Sequence, residues 1–323
     1  MQITERANIV LRLLAGLHAA GVTRTVIMPE NAGIRAHVGR GLHRSETRSE
    51  HRFPAVEYLD MPVTSTTRDS VVAAGLMVKA GVAAIIVLGG DGTHRAVVSA
   101  CGNVPIAGVS TGTNNAFPKF NEPTIVGLAV GLATMQPGLK DIGFEDNKWL
   151  EVDIAGHREI ALVDVAIVAE SYVGARALWR VENFRELFVA FAEPEVIGMS
   201  AIAGLLDPVD RASPQGRHVV FDPSAAPAHL VQAPIGPGLI ETVGIKSWGP
   251  LLPDAPVAVT PLQGSIALDG ERELSFSRSD RPVVTLRNSA FRTINLSACM
   301  KFGGAALLSR SARMAAKNKP EES

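Results

Sequence analysis

A single carboxylate, Asp91, is set among glycines in the run Gly89-Gly90-Asp91-Gly92-Thr93. Glycines let backbone N–H groups come close to a phosphate, and they permit positive φ where a turn needs it. Thr93 is of a type that caps a helix, and a helix start carries a positive dipole end suited to the same anion. A carboxylate beside phosphate is electrostatically costly unless it takes a proton from a substrate hydroxyl or holds a metal ion. Taken alone, Gly-Gly-Asp-Gly fits equally well a tight strand-to-helix turn with a solvated acid.

A second polar run, Ser110-Thr111-Gly112-Thr113-Asn114-Asn115, has the donors to complete a polyphosphate cradle; on its own it reads as an Asn-rich helix cap. A third candidate is Asp164, an acid inside the apolar stretch 160–168, which is costly to bury unless paired or functional. A solvent-facing position on a half-exposed sheet explains it almost as well. Asp269, in Asp269-Gly270-Glu271, sits in what reads first as a hairpin turn.

The elements around these residues follow from periodicity. The run Ile85-Ile86-Val87-Leu88 predicts a strand buried on both faces, so Asp91 falls at a carboxyl edge, where open α/β sheets place ligands. Ile9, Leu13 and Leu17 predict a helix over 5–20; Thr25–Met28 and Val56–Leu59 predict strands, and 66–80 a helix with Thr66 and Asp69 as a capping box. Residues 30–53 read as a long loop, and 105–109 as a strand. Pro123 fits the first position of another helix. The strand–helix order predicts a right-handed, mostly parallel sheet with both polar turns on one edge.

After residue 138 the texture changes. Residues 149–154 alternate, 160–168 read as one strand and 176–206 as helical. Short segments at 217–221, 239–246, 256–260, 264–268, 282–287 and 290–295 predict an antiparallel, sandwich-like unit. The expected organisation is an α/β nucleotide-binding domain over 1–138 and a β-rich substrate-binding domain over 139–298 with a helical insertion near 176–206. A polar tail covers 299–323.

Composition narrows the function classes. The chain has 323 residues, 46% of them hydrophobic, enough for two cores at roughly 150 residues per domain. Lys plus Arg is 31 against 32 for Asp plus Glu, so no basic surface points to nucleic acid or an anionic membrane. Cys101 and Cys299 lack metal spacing and predict reduced thiols in the cytoplasm. Neither a secretory signal nor a membrane span is expected. A P-loop is excluded by motif, as is a Rossmann dehydrogenase fingerprint. Exposed sheet edges predict a homo-oligomer, a dimer or tetramer.

With these residues in place, the chain resembles the NAD kinase and diacylglycerol kinase superfamily, through Gly89 to Thr93, the Thr-Gly-Thr-Asn-Asn turn and the Asp-Gly-Glu turn. Within it, Val173 to Trp179 and Ile197 to Gly204 resemble the acetoin catabolism protein X branch, which is ATP-NAD kinase-like. The resemblance implies ATP and Mg²⁺, with Asp91 activating an acceptor hydroxyl of NAD or a related small nucleotide. Gly89, Gly90, Gly92, Thr93, Thr111, Gly112, Thr113, Asn114 and Asn115 would line the nucleotide and phosphate pocket, with Asp164 and Asp269 at the acceptor. Val163-Asp164 stands near where NAD kinases place an Asn-Glu pair. The Ser-Thr-Gly-Thr-Asn-Asn turn lies closer to the lipid-kinase pattern. A lipid or sphingoid-base kinase, or a catalytically inactive nucleotide-binding regulator linked to acetoin catabolism, are the alternatives.

Overall fold

A computed structural model of the chain describes residues 2–47, 53–112, 115–169, 180–224, 226–270 and 272–304. The α/β half opens with α1 (Ile3–Ala19), β1 (Arg24–Ile27), α2 (Ile34–Thr47), β2 (Ala55–Tyr58) and α3 (Thr67–Lys79). It continues through β3 (Ile85–Gly89), α4 (Asp91–Val98), β4 (Ile106–Ser110) and α5 (Pro123–Met135). Glu122 caps α5, its carboxylate accepting the Ile125 amide at 3.0 Å, with Pro123 behind it as expected.

The β-rich half begins with β5 (Phe144–Ile154), β6 (His157–Ala161), β7 (Asp164–Val168) and β8 (Phe184–Val189). A short helix, α6 (Ser200–Leu206), follows. Then come β9 (Gly216–Phe221), β10 (His229–Gly236), β11 (Leu239–Leu251), β12 (Val257–Ala258), β13 (Gly264–Leu268), β14 (Arg272–Phe276) and β15 (Val283–Ile294).

These strands form three sheets. β1 and β2 pair in parallel by themselves. A second sheet runs β3-β4-β15-β5-β6, with β12 on β15; β3, β4 and β15 are parallel and β5 and β6 antiparallel. The third runs β10-β11-β9-β8-β7-β13-β14, antiparallel throughout. The fold therefore has parallel strands with helices in the N-terminal half and an antiparallel sheet in the C-terminal half. Its mixed sheet is shared, because β15 returns from the C-terminal half to lie beside β4.

One core joins the mixed and the antiparallel sheets, with Val87, Ile106, Leu150 and Leu286 facing Val165, Ile167, Ile266 and Leu268. A second packs α6 on the other side of the antiparallel sheet, around Ile202, Val168 and Ile235. Burial on both faces explains why β7 reads as an unbroken apolar run. A third places α1 and α5 over β4.

Five expectations need correction. Residues 34–47 are helix α2, not loop: Ile34, Val38 and Leu42 recur at a four-residue interval toward the core, and Gly41 lies so close that a Cβ there would be 2.5 Å from Leu11. The run 160–168 is two strands in two sheets, broken at Leu162-Val163. Residues 184–189 are strand β8, not helix; with its two faces buried in different cores, alternation is lost. The segments 282–287 and 290–295 are one strand with a register shift between Arg287 and Phe291. Thr66 does start α3, but without a side-chain cap; Asp69 instead reaches back to the Thr64 and Ser65 amides. Among the described residues no helix is long and apolar enough to cross a membrane. The segment Val173–Trp179, Thr113, Asn114, Glu271 and residues 305–323 lie outside the described residues.

Candidate functional site

β3 and β4 run parallel with Gly89 opposite Ser110, so both polar turns leave the same sheet edge. Gly90 is the N-cap of α4 at φ −96°, and Asp91 is its first helical residue. Neither Gly89, Gly90 nor Gly92 uses a positive φ. Their role is close approach: a Cβ on Gly89 would sit 2.5 Å from Thr93 Cβ, and one on Gly90 2.6 Å from Asn115 Oδ1. Thr93 lies inside the first turn of α4 and is not its cap. A helix start leaves its first amides without intrahelical acceptors, and here those belong to Asp91, Gly92 and Thr93.

The Thr111 amide ties the second turn to the first by donating to the Gly89 carbonyl at 3.4 Å, and within the second turn Asn115 Nδ2 donates to Ser110 Oγ at 2.8 Å. Asp91, 7% exposed, accepts the Ala116 amide on Oδ2 at 3.0 Å and the Phe117 amide on Oδ1 at 2.9 Å. Behind the turn, His94 donates from Nδ1 to the Gly90 carbonyl at 2.8 Å. Burial pushes His94 down to about 4, so it is neutral at pH 7, and its other nitrogen lies against Gly108.

Asp164 and Asp269 come together one helical turn further along. Arg95, four residues after Asp91, donates from Nη1 to the Leu268 carbonyl at 2.6 Å and to Asp269 Oδ2 at 3.2 Å. Asp269 is not a solvated hairpin residue; positive φ at Asp269 (51°) and Gly270 (68°) turns the chain and the carboxylate points inward. It accepts the amides of Leu162 at 3.2 Å, Val163 at 2.8 Å and Asp164 at 3.3 Å, which is what breaks the expected long strand. Burial raises the Asp269 carboxyl, opposed by Arg95 and those amides.

Asp164 has weaker compensation. Burial drives its carboxyl well up, Asp269 and Asp91 add to the rise, and the Ser200 amide and Arg95 oppose it. Asp164 Oδ1 and Ser200 Oγ are buried without a hydrogen-bond partner among the described residues. Of the two acids, Asp164 is pushed further toward its protonated form, while Arg95 and three amides favour the charge on Asp269.

The sequence reading named Asp91, Asp164 and Asp269 as candidates, and the structure places around them His94, Arg95, Ser200 and Arg211, which that reading did not name as candidates. Arg95 had a readable signal, a four-residue offset from Asp91 in a helix otherwise rich in small apolar residues. Arg211, in an irregular segment between Pro208 and Pro214, had none. Among the described residues no group of three His, Cys, Asp or Glu is arranged to hold a metal ion.

Two family models match the chain. The ATP-NAD kinase N-terminal domain family model matches residues 2–133, and the Acetoin catabolism protein X C-terminal domain model matches residues 148–289. The Acetoin catabolism protein X of Cupriavidus necator is 48% identical over 316 residues, covering 96% of this chain and 88% of that protein.

Proposed function

The chain belongs to the acetoin catabolism protein X family, with an N-terminal domain of the ATP-NAD kinase type, and from that premise we propose that it transfers the γ-phosphoryl group of ATP to a hydroxyl of NAD or a related small nucleotide. The observation that carries this reading is the placement of Asp91. It stands at the carboxyl edge of β3, at the start of α4, beside the turn leaving β4, with its carboxylate oriented by two amides. In this reading the acceptor oxygen attacks the γ-phosphorus, the bond to the β-phosphate oxygen breaks, ADP leaves, and the acceptor proton passes to Asp91. The first amides of α4 and the Ser110–Asn115 turn supply donors for the phosphates, so the chain contributes mainly orientation and charge compensation. Asp164 and Ser200 would face the acceptor side.

The acids do not make a magnesium cage. Asp91 and Asp269 spend oxygens on backbone amides, and among the described residues no three acids, histidines or cysteines are grouped to hold a metal ion. No step is assigned to a protein-held cation; magnesium, in this reading, accompanies the nucleotide phosphates. Two buried, free cysteines and a near-neutral surface suit a cytoplasmic enzyme with a small-molecule substrate and neither nucleic acid nor membrane as partner.

A second reading has one supporting observation. Both Asp91 oxygens already accept amides, which also suits a nucleotide-binding regulator that does not turn over. One experiment separates the readings: γ-labelled ATP and Mg²⁺ with NAD, nucleosides and a sphingoid base as acceptors, alongside calorimetry for ATP and NAD. Label on NAD or a nucleoside supports the kinase, and label on the sphingoid base redirects it to lipid. Binding without label supports the regulator, and absence of both binding and label sinks both readings.

A further inference from the structure

The Asp91 carboxylate is held by the Ala116 and Phe117 amides, and the carbonyls of the same two residues are held from the other half of the chain. Arg211 donates from Nη2 to the Ala116 carbonyl at 2.7 Å and from Nη1 to the Phe117 carbonyl at 2.8 Å. The Ala116 carbonyl and the Phe117 amide belong to one peptide group. A guanidinium on its oxygen and a carboxylate on its N–H therefore polarise the same bond from both ends.

We infer that Arg211 is a positioning residue for Asp91, fixing through the Ala116–Phe117 backbone the direction in which that carboxylate points. The inference rests on the reading of Asp91 as the base of the reaction.

Arg211 is itself locked on several sides. Glu193 accepts its Nε at 3.1 Å on Oε1 and its Nη2 at 3.2 Å on Oε2. The guanidinium lies over the Phe191 ring at 4.1 Å and over Phe117 at 5.5 Å. Glu193 also pairs with Lys119 at 3.4 Å, two residues beyond the held peptide. Burial lifts the Glu193 carboxyl, but Arg211 and Lys119 outweigh it and hold it below the usual range.

The backbone carrying Arg211 is fixed as well. The Ala192 and Val209 amides exchange hydrogen bonds at 2.9 and 3.0 Å, which places Glu193 beside the Arg211 segment. Lys148, buried in β5, donates its ammonium to the carbonyls of Asp210, Ser213 and Gln215 at 3.3, 2.5 and 2.8 Å, bracketing Arg211. Burial lowers Lys148 to about 8, which still leaves it mostly charged at pH 7. A bidentate grip on two carbonyls plus a carboxylate needs the planar fork of arginine, and a lysine ammonium cannot span all three.

The test is amide hydrogen exchange by NMR on the full chain, wild type against Arg211→Lys. The Ala116 and Phe117 amides should exchange at least about tenfold faster, as befits loss of a charge-assisted hydrogen bond. The Leu187 and Phe188 amides in β8 should be unchanged. Equal exchange at Ala116 and Phe117 in the two proteins overturns the inference. Should Arg211→Lys accelerate exchange everywhere, Glu193→Gln, which keeps the guanidinium but weakens its anchor, is read by the same two amides. If the wild type transfers phosphate, the variant should lose kcat at constant KM for both substrates; faster exchange with unchanged kcat overturns the positioning role. If the wild type transfers none, the kinase reading fails, and the two amides alone decide whether Arg211 holds the Asp91 clamp.

Discussion

Helix α4 serves two regions that use carboxylates in opposite ways. At its start Asp91 faces the edge shared by two polar turns, and one turn later Arg95 enters a sealed seam with Asp269 and Asp164. In the seam, every strong interaction of Asp269 is with another part of the chain: three amides and a guanidinium, with its side chain fully buried. At the edge, the Ala116 and Phe117 amides orient the Asp91 carboxylate, and the helix start and the β4 turn lie alongside it. In the proposed reading the seam holds the two sheets together and the edge carries the chemistry.

The sharpest way to break that contrast is Asp269→Ala. It strands the Arg95 charge and three buried amides, and removing one partner of a buried pair costs about 3–5 kcal/mol. Urea unfolding at pH 7 measures it, and a loss below about 1 kcal/mol would mean that the seam does not hold the sheets together.

The edge has its own stability signature through His94. Its folded value is lowered from 6.5 to about 4, so the unfolded chain binds the proton first as pH falls. The contribution is fully present above 6.5 and is lost as pH falls toward 4, amounting to about 3 kcal/mol at ~1.4 kcal/mol per unit. Unfolding free energies at several pH values, wild type against His94→Gln, should differ by this slope. Parallel curves would contradict it.

Asp164→Asn should have the smallest effect in acid, where the carboxyl is protonated in the folded and the unfolded chain alike and one neutral buried group replaces another. Below pH 3.8 the change should stay within about 1 kcal/mol. The sign with pH is opposite to that of His94. With its folded value raised above 3.8, Asp164 contributes stability that is fully present below 3.8 and is lost as pH rises through the raised value. The variant should therefore gain on the wild type as pH increases. A cost matching that of Asp269→Ala would erase the distinction between the two acids.

How much of this was legible beforehand differs between the regions for the same physical reason. The edge is local: an apolar strand, glycines and an acid within nine residues, Ile85 to Thr93, announce a strand, a turn and a candidate site. The parallel pairing of β3 with β4 and the Pro123 helix start were readable likewise. The seam depends on pairings such as Arg95 with Asp269, far apart in sequence, and no periodicity encodes them. The break at Leu162-Val163 follows from Asp269, so 160–168 read as one strand. Helix α2 was missed because Gly39 and Gly41 resemble loop punctuation, whereas Gly41 lets the helix pack against Leu11. Strand β8 was missed because burial on both faces removes the alternation that marks a strand.

The account stands most directly on Asp91→Asn. The substitution keeps the size of the side chain and removes its capacity to take a proton. Measured with γ-labelled ATP against the wild type, kcat should fall at least ~100-fold, the usual contribution of a positioned general base, while the melting temperature moves by only a few degrees. A kcat equal to that of the wild type, in a folded variant, would contradict the assignment of chemistry to this edge.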